Sequence, residues 1–154
     1  MRGFMAYTVK TDVQKHISKF RRARIAAYER SGLIMTTLTG VRGSLQVAFM
    51  HAKQAGGVVA ELDSRGVSAP IMVYAGSPWW AFLLSVDADV EDCMRNANDR
   101  IYFLPPVSTV PLPTPGRGRA RWIRPLKSHA LLPMSEFLAV ADNVLLACEA
   151  GGQR

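Results

Sequence analysis

With 154 residues, 49% of them hydrophobic and 20% charged, the chain can bury roughly two-thirds of its unfolded surface, which excludes wholesale disorder. A formal net charge of +7 and a pI near 9.9 say nothing about fold, but they favour a polyanionic partner. The longest apolar run, Ile71 to Val86, is interrupted by Gly76, Ser77 and Pro78, so no bilayer span is expected.

Residues 1–10 read as an N-terminal arm or short strand, with Phe4, Met5, Tyr7 and Val9 partly alternating. Thr11 to Gly32 then predicts an amphipathic helix. Thr11 and Gln14 match a capping box, and Asp12 suits the positive end of the helix dipole. Val13, Ile17, Phe20 and the Ala27/Tyr28 pair recur at helical spacing as the apolar stripe. Lys15, Lys19, Arg22 and Arg30 fall on other faces, Arg21 and Arg24 flank the stripe, and Gly32 suits a helix end.

Leu33 to Leu38 fits helix or strand. Ser44 can cap a second helix, Leu45 to Gln54, which Gly56-Gly57 would stop, giving an N-terminal helical pair. Val58 to Leu62 is ambiguous. Ile71 to Ala75 and Trp79 to Val86 read as strands, Asp89 to Asn98 as a short helix, and Ile101 to Leu104 as a strand ended by Pro105-Pro106. Prolines 111, 113 and 115 make residues 105–121 a Pro-rich, Arg-Gly loop. Trp122 to Leu126 rejoins the sheet at its edge. Ser135 caps a final helix, Glu136 to Glu149, with Phe137, Val140, Ala141, Val144, Leu145 and Cys148 on its buried stripe, and residues 151–154 form a disordered tail. The expected architecture is one α+β domain over 1–154: a helical pair, a small mixed or antiparallel sheet, and a C-terminal covering helix.

The charge is unevenly distributed. Residues 1–30 carry eight Lys and Arg against two acids, and residues 117–127 carry five and no acid; the body between them and the C-terminal tail are each mildly acidic. A surface that merely keeps a protein dissolved intersperses its signs. The cationic helix side chains Lys15, Lys19, Arg21, Arg22 and Arg24 are therefore candidate phosphate contacts. In Arg117-Gly118-Arg119-Ala120-Arg121-Trp122, alternate arginines can fork onto phosphates or stack on bases, glycine permits close approach, and Trp122 can act as a stacking platform. Arg124 and Lys127 extend this second segment.

Other constellations are weaker. Asp87 and Asp89 follow a strand and could hold a divalent cation for phosphodiester cleavage, although such acids more often charge the first turn of the next helix. His16, His51 and His129 lack metal-ligand spacing, and Cys93 with Cys148 reads as two reduced core thiols. Trp79-Trp80 reads as core on both faces, or as one exposed platform. The expectation is a cytoplasmic, non-catalytic protein without cofactor or metal that binds DNA or RNA through phosphates, within a nucleoprotein assembly. The alternative is an interaction subunit, a self-associating protein or one meeting acidic partners through the same basic helix and the Trp- and Pro-rich segments.

Overall fold

The computed structural model describes the backbone of residues 2–127 and 130–152 and the side chains of residues 12–127 and 130–149. His129 and the last two residues of the expected tail lie outside this set.

Two sheets organise the chain. The larger has six strands: β3 (Leu45–His51), β4 (Ile71–Tyr74), β5 (Trp79–Ser85), β6 (Ile101–Phe103), β8 (Ala120–Arg124) and β9 (Leu132–Pro133). They lie in the order β6-β3-β5-β4-β8, every neighbouring pair antiparallel, while β9 pairs in parallel with the end of β5. The smaller sheet is an antiparallel set of β1 (Tyr28–Arg30), β2 (Leu33–Thr37) and β7 (Thr109–Pro111), in the order β1-β2-β7. Around them run α1 (Arg2–Arg22), α2 (Ala52–Ser64), α3 (Val90–Asn96) and α4 (Met134–Gly152). The expected α+β class is what the chain adopts.

The period-two alternation of strand side chains divides the core. Ala48, Met50, Ile71, Phe82, Leu84 and Phe103 face one way, packing against Ala55, Val58 and Leu62 of α2 and Phe137, Val140, Ala141 and Leu145 of α4. The Phe82 and Phe137 rings lie 4.9 Å apart at 46°. Leu45, Val47, Met72, Ala81 and Leu83 face the other way, packing against Ile17 and Phe20 of α1 and against Ile34 and Val110 of the small sheet. The large sheet is thus covered on both faces. Tyr74 joins the two sheets, its hydroxyl donating to the Pro111 carbonyl at 2.8 Å.

Several expectations need correction. Leu45–Gln54 is not a helix, so there is no N-terminal helical pair. β3 is central, and its burial on both faces makes an apolar run that helical spacing mimics. The helix instead begins at Ala52, capped by His51, whose side chain accepts from the Lys53 N–H at 3.2 Å. Gly56 and Gly57 lie inside it. A methyl on Gly57 would sit 3.1 Å from Val144 Cγ1 of α4, so the glycine lets two helices approach closely.

The basic helix is displaced toward the N-terminus. Residues 2–10 belong to α1 rather than to an arm, and Thr11 is interior to the helix. Its end is a Schellman motif: Ile25 N–H donates to the Phe20 carbonyl at 3.0 Å and Arg24 N–H to that of Arg21 at 2.9 Å, with Arg24 in the left-handed region at φ 65°. Gly32 does different work. With Ser31 (φ 54°) and Gly32 (φ 81°) between Arg30 and its partner Leu33, the chain makes the two-residue turn that favours a hairpin. Residues 105–121 are not one long loop either, since they contain β7 and the start of β8. At the far end, helix α4 continues through Gly151 and Gly152, and Cys148 is exposed rather than buried.

Candidate nucleic-acid interface

In α1, Ile17 and Phe20 are buried, Val13 and His16 are half-buried, and Lys15, Lys19, Arg21 and Arg22 are exposed. The apolar spacing accounts for this. Residues 13, 17 and 20 form a single stripe, so side chains on other faces of the helix project into water. Lys15, Lys19 and Arg22 recur at intervals of four and three, and so follow one line along the helix. The cations of the last turn also complement the negative end of the helix dipole. Arg21 Nε donates to the Ala27 carbonyl at 3.2 Å, tying the helix end to the chain that leaves it.

The Arg-Gly segment is folded onto the small sheet. Thr114 is buried. Its Oγ1 accepts from the Ile34 N–H at 2.9 Å and donates to the Leu112 carbonyl at 3.2 Å. Pro115 and Gly116 (φ 67°) occupy the centre of a tight turn closed by Arg117 N–H onto the Thr114 carbonyl at 3.2 Å, the pattern of a type II turn. Arg117 lies over the β1–β2 turn, close enough that a methyl on Gly32 would sit 2.5 Å from its Nη1. Arg119 is exposed. Arg121 Nη1 donates to the carbonyls of Gly118 at 2.7 Å and Ala120 at 3.0 Å, which holds its guanidinium at the base of the tip.

These two segments meet. Phe20 of α1 stacks on Trp122 of β8, with ring centroids 6.0 Å apart and planes at 30°. Beside that contact is a cleft of about 430 Å³, lined by His16 from the helix and by Pro113, Thr114, Pro115, Gly116, Ala120, Arg121 and Trp122. The C-terminal end of α1 borders a second cleft, about 390 Å³, whose lining includes Arg22, Arg24, Gly43 and Ser85. Among the residues lining the first cleft, His16 and Thr114 carry polar side chains outside the expected set. His16 adjoins Ile17 on the edge of the apolar stripe, a position that could have marked it; Thr114 carries no comparable local signal.

Arg124 and Lys127 point elsewhere. Arg124 makes a two-pronged contact with Asp63 of α2, its Nη1 and Nη2 lying 3.0 and 2.9 Å from the two carboxylate oxygens. That hydrogen bond holds the Asp63 carboxyl below its ordinary value, an effect Lys127 reinforces, and holds the guanidinium above its own. These two cations therefore serve the α2 side of the large sheet.

Asp89 caps α3 by accepting from the Asp92 N–H at 3.0 Å, and Asp87 accepts from both the N–H and the hydroxyl of Ser135 at the start of α4. Both carboxylates are occupied with helix starts. No group of three or more metal-ligating side chains occurs among the described residues. The Cys93 thiol is pushed up, first by burial and then by Asp87, Asp92 and Asp89 nearby. Trp79 is exposed, edge-on to His51 at 5.7 Å, while Trp80 packs against the core. No helix among the described residues is long and apolar enough to cross a membrane. Comparison with protein-family models, curated proteins and solved structures gives no match.

Proposed function

We propose that the protein binds nucleic acid without catalysis, contacting phosphates through α1 and the Arg-Gly tip. The observation that carries this reading is the junction of the two segments: Phe20 stacked on Trp122, and His16 and Arg121 lining one cleft. Lys15, Lys19, Arg22, Arg117 and Arg119 are exposed, and none has a carboxylate partner within salt-bridge distance among the described residues. They need break no ion pair to meet a phosphate, and each phosphate met releases counterions, so the logarithm of the affinity should fall linearly with the logarithm of salt. Contacts of this kind position a strand without reading its sequence.

A random oligonucleotide titrated at increasing salt tests the reading. Binding that weakens steeply and varies little with base composition supports it. No retention of DNA or RNA at low salt contradicts it. A second reading, contact with another protein, draws on Tyr102, Val107 and Val41, which are 57%, 84% and 63% exposed.

A further inference from the structure

Resting on that nucleic-acid reading, we infer that the cleft between α1 and β8 receives an unpaired nucleobase, so that the partner is a single strand rather than a duplex. Three features point there. The first is size: about 430 Å³ lies within the range of small-molecule sites, roughly 300–1,000 Å³. A duplex keeps its bases stacked inside, and only a base turned out of the helix can enter a concave site.

The second is the chemistry of the walls. An indole, an imidazole, a guanidinium and two prolines present flat or apolar surfaces. Such planes stack on the π-face that every base has, which gives affinity without sequence preference. Trp122 is backed by Phe20, so its ring is held in place before any ligand arrives.

The third is how the polar groups are committed. His16 Nδ1 lies 2.9 Å from the Asp12 carbonyl oxygen, which can only accept, so this nitrogen donates and Nε2 is left for a partner. One acid, Asp12, lies near it, with Oδ1 3.9 Å from the same Nδ1. Arg121 spends Nη1 on the Gly118 and Ala120 carbonyls. The donors of its other two nitrogens face no carboxylate among the described residues and suit the phosphate attached to an inserted nucleotide. Lys19, one turn on from His16, and Arg117 and Arg119 on the tip continue the positive surface for the flanking phosphates.

Fluorescence anisotropy on the full chain tests this with labelled strands of about 12 nucleotides, matching the site sizes of single-strand binders. A random-sequence strand is compared with an abasic strand of equal length and with a duplex. The base-bearing strand should bind at least about 10-fold more tightly than the abasic one, and Trp122→Leu should erase roughly 5- to 150-fold of its affinity while barely moving the abasic strand. Because Trp122 also packs on Phe20, His16→Ala provides the same comparison at a position that does not hold the core and should narrow the gap between the two strands. Arg121→Ala, which removes donors to the phosphate, should weaken both. Equal, salt-sensitive binding of abasic and base-bearing strands overturns the inference and leaves the phosphate reading standing. Absence of any binding at low salt overturns both.

Discussion

Tyr74 shows how one side chain can bind two sheets together. Burial pushes its hydroxyl from an ordinary 10.0 up to about 12, and the same hydroxyl donates to Pro111 across the gap between β4 and β7. An unfolded chain ionises this tyrosine near pH 10, whereas the folded one resists until about pH 12. Its contribution is therefore complete below pH 10 and is lost as pH rises through about 12. Tyr74→Phe should cost about 1 kcal/mol at neutral pH and should flatten the loss of stability between those two values, as read by denaturant melts at alkaline pH. A variant with the parent's alkaline profile would place that sensitivity elsewhere. Arg24 poses a second question at this scale, since a left-handed non-glycine residue is strained by roughly 1–2 kcal/mol. Arg24→Gly should leave thermal stability unchanged or raise it while removing one cation from the end of α1. If oligonucleotide affinity is untouched, Arg24 lies outside the interface.

At the scale of elements, α2 offers the clearest contrast. Gly56 is exposed and a methyl there meets nothing within 4 Å, whereas Gly57 faces Val144 at 3.1 Å. Gly56→Ala should raise stability by roughly 0.5–1 kcal/mol, and Gly57→Ala should gain less or lose, because α4 must give way. Thermal melts of the two variants check this, and equal gains would mean that the helices do not meet as described. The same pair shows why the sequence misleads here. Two adjacent glycines resemble a helix stop, yet both lie inside α2, and the second serves a close approach to a helix some 87 positions away. Strands β4, β5 and β6 and helices α3 and α4 were legible because turn residues bound them and their apolar spacing is regular. β3 was not, because a short run buried on both faces carries no period that separates strand from helix. The end of α1 was hidden for a related reason: its cap is an arginine in a position where glycine is the usual signal.

For the whole molecule, the charge map and the fold bear on one another. The two basic segments stand out in the sequence, but nothing local says that Phe20 and Trp122 touch, or that Arg124 turns to Asp63 on the far side of the sheet. Both facts are tertiary. They divide the candidate cations into a group around α1 and the Arg-Gly tip and a pair beside α2. The most direct test is the salt slope of single-strand binding. Three variants are compared with the parent: Lys15→Ala/Lys19→Ala/Arg22→Ala, Arg117→Ala/Arg119→Ala/Arg121→Ala, and Arg124→Ala with Lys127→Ala. Each of the first two should lower the slope by about 2 units, near 0.7 for every lost phosphate contact, without loss of folding, and the third should leave it unchanged. A slope that ignores the first two variants, or that responds to all three alike, would contradict a single interface built where α1 meets β8.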